Sequence, residues 1–185
     1  IEILVMVAAF VLVMCSTSFA NVSVYAEGAY NDDKLDLYVY ADISGDPLLS
    51  YGIKVTYDTN EFEEPGVEDV VRNEGIWFFG DTRTVPETKH STPSAGPIIT
   101  DNGDGTGEIQ LFAGKLDAAA PTEGVDGTRV LLATITLTRK AGGTDPTSIA
   151  LSLGREEASY ANFVDNQGVK LDGNGSMFGI GDVAI

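Results

Sequence analysis

Apolar and polar residues alternate in short runs along most of this chain. The longest run is Gly127 to Lys140 (GTRVLLATITLTRK). Leu131, Ala133, Ile135 and Leu137 fall on one side of it, and Thr134, Thr136 and Thr138 on the other. A period of two marks a β-strand with one buried face. Val130 and Leu132 add apolar bulk to the second face, which predicts an inner strand. Arg139-Lys140-Ala141-Gly142-Gly143 then ends it with charge and glycine.

The same pattern recurs on both sides of this run. Val22, Val24 and Ala26 share a face, and Leu35, Leu37, Val39, Ala41 and Ile43 point inward against Asp36, Tyr38, Tyr40 and Asp42. A turn is predicted at Gly45-Asp46-Pro47. Ile53, Val55 and Tyr57 then face in, with Lys54 and Thr56 out. A weaker strand is read over Glu63 to Val71, and a short aromatic one over Ile76 to Gly80 (IWFFG). Pro97 to Thr100 leads through Asp101-Asn102-Gly103-Asp104-Gly105 into a strand with Ile109, Leu111 and Ala113 inward. Ile149, Leu151 and Leu153 define another strand, and Phe163-Val164 and Val169-Leu171 flank a last turn. Single helical turns are expected within 116–126 and Arg155 to Tyr160. About nine short strands separated by Gly, Asn and Asp turns predict an all-β protein, a jelly-roll β-sandwich of one domain.

The first twenty residues stand apart. Ile3 to Met14 is an apolar run too short for the roughly 20 residues of a membrane span. Small residues at Ser18 and Ala20 follow, so residues 1–20 read as an N-terminally truncated secretory signal cleaved after Ala20. Met14 is too large for the residue before a lipoprotein cysteine at Cys15. Cleavage removes that single cysteine, leaving no disulfide, thiol nucleophile or sulfur ligand. The expected product, residues 21–185, is secreted or cell-surface, without membrane insertion. A net charge of −17 argues against nucleic acid, whose phosphates require Lys and Arg, and favours solubility or cation binding.

With the strands placed, the order of motifs resembles a cohesin domain. Tyr51 to Asp58 (YGIKVTYD) before Glu61-Phe62-Glu63 is similar to the cohesin strand ending in Tyr-Asp. Asp104-Gly105-Thr106 running into Glu108 to Ala113 resembles the Asp-Gly-Thr hairpin. Gly127 to Leu137 resembles the Gly-x-Leu-x-x-Ile-x-Phe strand, with Leu137 in place of Phe. Ala141-Gly142-Gly143 before Ser148 to Leu151, and a closing Asn166-Gln167-Gly168-Val169, complete the match. Ala29 to Asp33 stands where the family has a tight Gly-Asp turn. The resemblance implies a scaffoldin-type module that receives a dockerin. It also implies a partner-binding sheet carrying Lys54, Thr56, Trp77, Phe79, Gln110, Phe112 and Ser152.

No catalytic constellation stands out. His90 is the only histidine, and it lies in a Thr/Ser/Pro-rich loop with no residue placed to orient it for nucleophilic chemistry. The 28 acidic residues ensure some carboxylate pairs at glycosidase spacing, but no motif accompanies them. The chain is therefore read as a non-enzyme. Asp101, Asp104 and Glu108 offer hard oxygens for calcium, as do Asp165, Asp172 and Asn174. Asp101 to Asp104 is equally what a hairpin turn requires. Exposed aromatics can stack on sugars or anchor a protein. Tyr38 and Tyr40 on the opposite sheet, or Trp77 and Phe112, therefore support an alternative, a carbohydrate-binding module for polysaccharide. A passive module of a surface layer or appendage is a third reading.

Overall fold

The computed structural model describes residues 20–77, 96–115, 123–142, 149–157, 160–172 and 178–185. Residues 1–19 of the expected signal, with Cys15, and Phe79, His90, Asn174 and residues 116–122 of the 116–126 segment expected to hold a helical turn lie outside these residues.

Among the described residues, nine strands form a mixed sheet system. They are β1 (Asn21–Asn31), β2 (Lys34–Asp58), β3 (Val70–Arg72), β4 (Ile98–Asp101), β5 (Thr106–Gly114), β6 (Val125–Thr138), β7 (Ala150–Leu153), β8 (Val164–Asp165) and β9 (Phe178–Ala184). All pairings are antiparallel except β1 with β9. This is the all-β jelly-roll sandwich expected from the alternation.

The predicted turn at Gly45-Asp46-Pro47 is instead a corner within one strand. β2 spans 25 residues. Its first half pairs with β1 and β6, and its second half with β5 and β7. The change of sheet falls between Ile43 and Leu48, where the register with β6 shifts. Gly45 adopts a positive φ of 83° there, so the chain bends at one residue while the strand continues. One layer is therefore β3-β6-β2-β1-β9 and the other β4-β5-β2-β7, with β8 beside β2 near the corner.

The inward residues fill the space between the layers. Val22, Val24, Leu35, Leu37, Val39 and Ala41 from the first layer meet Ile53, Val55, Ile109 and Leu111 from the second, all buried. Each such aliphatic side chain removed from water contributes roughly 1.5–3 kcal/mol. Between β1 and β2, Asp32-Asp33 makes a two-residue hairpin, with Asn31 opposite Lys34. Asp32 takes the left-handed conformation (φ 57°) that Asp tolerates better than most residues.

Other expectations need correction. In β6, Ala133 pairs with Val39 but Leu131 pairs with Tyr40, leaving Leu132 as an extra residue. The bulge moves Leu131 to the half-buried outer side and buries Leu132, because one inserted residue reverses a period-2 pattern. Glu63 to Val71 is not a strand throughout, since a 3-10 turn at Val67–Asp69 precedes β3. Pro65 and Gly66 interrupt pairing on that segment. Ile76 and Trp77 belong to no strand. Their backbone N–H groups both donate to the Asn73 carbonyl, at 3.0 and 2.9 Å, in a tight turn.

Candidate functional site

Alternation on β2, β5 and β7 places one polar set on the outer surface of the second layer. Lys54 lies opposite Gln110 on one side and Ser152 on the other, and Thr56 lies opposite Glu108 and Ala150. β4 extends these rows, with Ile98 opposite Gln110 and Thr100 opposite Glu108. Lys54, Thr56, Gln110 and Ser152, grouped by the sequence reading, thus stand side by side on one continuous sheet face. Ala150, opposite Thr56, is exposed, and so is the larger apolar Ile98, at 43%. Its place on β4 puts it in the same row as Lys54, which the assignment from motifs alone had missed.

Lys54 sits at the centre of this face. Its ammonium reaches Glu156 at 2.8 Å and Glu108 at 3.3 Å. The hydrogen bond to Glu156 raises the Lys54 pKa above its ordinary range and Glu108 adds to this, while partial burial opposes both. The same contact holds the Glu156 carboxyl below the usual range. The face therefore carries one cation shared by two anions, set among hydroxyl and amide groups.

Phe112 closes one end of the face and is covered. A side-chain carbon at Gly52 or Gly154 would lie 2.8 or 2.7 Å from its ring, so the two glycines form a flat floor for it. Tyr160 packs edge-on above, centroids 5.8 Å apart, and the Arg155 guanidinium lies 5.3 Å from the ring centre. The sequence reading placed Phe112 outward, and Arg155 and Tyr160 cover it there.

Trp77 is not on this face. It is fully buried, edge-on to Tyr51 at 5.0 Å, with its indole N–H donating to the Leu131 carbonyl at 3.3 Å. Tyr51 in turn donates to the Leu132 carbonyl at 2.7 Å, and burial pushes its hydroxyl pKa well up. Trp77 is thus a plug between the layers. The tight turn on Asn73 directs it inward where a strand would have turned it out.

Tyr38 and Tyr40 lie on the opposite outer face, half-buried. Tyr40 packs against Tyr25 at 5.8 Å, and the Arg129 guanidinium lies 4.4 Å from the centre of its ring. Arg129 is also held bidentately by Glu27, and its backbone N–H donates to Asp42 at 2.7 Å. The ring face that would stack on a sugar is taken by an internal cation.

The calcium candidates do not converge. Asp101 accepts the Gly103 N–H at 2.8 Å, and Asp104 accepts both the Thr106 N–H at 3.0 Å and its hydroxyl at 2.6 Å. Glu108 faces Lys54. These are turn bonds and an ion pair. Among the described residues, no group of three or more His, Cys, Asp or Glu side chains is placed to hold a metal. Asp165 and Asp172 are buried and likewise accept backbone N–H groups, from Gln167 and Val169 and from Phe163.

No protein-family model matches the chain, and no curated protein matches it. Solved structures match over most of its length. A chain of a CaDoc0917–CaCohA2 complex, crystallised at pH 5.5, aligns at 14% identity with a TM-score of 0.52, covering 89% of this chain and 99% of its own. CaCohA2 from Clostridium acetobutylicum, in solution, aligns at 13% identity and TM-score 0.48, covering 91% and 92%. The Coh-OlpC–Doc435 structure from Clostridium thermocellum, described as a novel type I cohesin–dockerin complex, aligns at 14% and 0.49, covering 90% and 94%. The first of these likenesses establishes the fold as the cohesin jelly-roll sandwich.

Proposed function

We propose that the chain is a non-catalytic binding module that docks a dockerin-type or other protein partner on the β4-β5-β2-β7 face. The setting is a secreted or cell-surface assembly. The observation that carries this reading is the row Ile98, Gln110, Lys54 and Ser152, running across four adjacent strands. A flat face with the exposed apolar side chain of Ile98, a central charge and flanking amide and hydroxyl groups suits a protein partner. Such interfaces combine an apolar anchor with a polar rim. The cohesin-like fold supports the same reading, since the CaCohA2 structure holds such a chain in complex with CaDoc0917. Glycan stacking has less support, because Arg129 covers Tyr40 and Trp77 is interior.

The test is an array of dockerin modules of several types beside plant and microbial polysaccharides, probed with the labelled protein in calcium and then in chelator. Dockerin signal without polysaccharide signal is expected. Binding only to polysaccharide would move the function to the tyrosine face. Silence on both would leave a structural module.

A further inference from the structure

We propose that residues Gly154–Glu157 form a displaceable strap across this face, occupying Phe112 and Lys54 until a partner lifts it. The strap is built unevenly. At its base, the buried Asn162 side chain clamps Arg155, accepting its N–H at 2.8 Å and donating to its carbonyl at 2.8 Å. Asn162 also donates to Asp172 at 3.1 Å, and Asp172 accepts the Phe163 N–H at 2.8 Å. In the middle, Arg155 stacks over Tyr160 at 4.4 Å and over Phe112. At the tip, Glu156 reaches the sheet through its contact with Lys54, with its side chain 77% exposed, and the Glu157 carbonyl accepts the Tyr160 N–H at 2.8 Å.

A buried hydrogen-bonded base and a solvent-exposed ionic tip differ in strength. An exposed ion pair in water is weak and screened by salt, so the strap opens first at Glu156. Opening leaves Lys54 with Glu108 alone and begins to uncover an aromatic ring seated on Gly52 and Gly154. A fixed ring beside a cation is an anchor of the kind that dominates protein interfaces. The matching partner brings an oxygen acceptor to Lys54 and an apolar side chain to Phe112, replacing Glu156 and Arg155.

The inference rests on the docking reading, but its first test needs no partner. The full chain is pulse-acetylated with an amine-reactive ester and the rate at each lysine is read by mass spectrometry. Lys54, partly buried and holding its proton against Glu156, should react more slowly than the exposed Lys34. Glu156→Gln should raise the Lys54 rate by about two- to fivefold, the range of an exposed ion pair. Lys115, which pairs with Glu123, should be unchanged. An unaltered Lys54 rate in a variant with wild-type near-ultraviolet circular dichroism would overturn the strap. In a second arm, Glu156→Gln should tighten binding to any dockerin that the array retrieves, and unchanged or weaker binding would overturn displacement. A silent array would remove the docking reading and leave the labelling result to decide whether the strap opens.

Discussion

Trp77 and Phe112 show how far a single residue's role depends on neighbours that are distant in sequence. Alternation placed Phe112 on the outer side of β5, and it is there. Its cover by Arg155 and Tyr160 was not legible, because nothing local to β5 specifies what crosses over it. Trp77 was assigned outward from a strand pattern that a tight turn replaces. Trp77→Ala should therefore lower stability by about 3–5 kcal/mol, as expected for an emptied aromatic site, measured by urea unfolding. A variant of wild-type stability would return Trp77 to the surface. Gly52→Ala should cost about 1–3 kcal/mol, because the new carbon meets the Phe112 ring at 2.8 Å and Asn162 Oδ1 at 2.9 Å. The same unfolding measurement checks it.

Among the elements, β1, β5 and the two halves of β2 were readable because each buries one face in period-2 alternation over most of its length. The pattern fails where the backbone departs from that period. Pro47 beside Gly45 has the composition of a hairpin turn, yet here the two residues bend a strand that continues. In β6, five apolar residues in six positions (Val130 to Ile135) are compatible with either register, and only pairing with β2 fixes the bulge at Leu132. Leu132→Ala should cost about 2–5 kcal/mol, while Leu131→Ala, on the half-buried outer side, should cost clearly less. Equal losses in paired denaturation curves would contradict the bulge. For the proposed docking face, the resemblance to a cohesin domain brought Lys54, Thr56, Gln110 and Ser152 together. It could not add Ile98, whose place depends on the β4–β5 register.

For the molecule as a whole, a charge of −17 makes self-repulsion a term that salt and acid both relieve. Raising sodium chloride from about 10 to 150 mM should raise the melting temperature, since screening removes more repulsion than it weakens exposed pairs such as Lys54–Glu156. A fall would place net stabilisation in the surface ion pairs. Asp104 and Glu156 have folded pKa values below their ordinary ones, through Thr106 and Lys54 respectively. For such groups, the stabilising contribution is present above the unfolded pKa and is lost as pH falls through the folded value. The melting temperature should therefore vary little between pH 8 and about pH 5.5, where few carboxylates titrate, and fall below about pH 4. A steady rise into stronger acid would show that these turn and strap contacts do not matter.

The docking claim is tested most directly by mapping the footprint of a retrieved dockerin through titration calorimetry. Thr56→Arg and Gln110→Lys would alter the β4-β5-β2-β7 face, and Thr134→Arg would place a matching charge on the opposite sheet. Loss of affinity by about tenfold or more for the first two, with Thr134→Arg unchanged, is the expected result. Binding that survives both face variants, or falls only with Thr134→Arg, would contradict it and place recognition elsewhere on the sandwich.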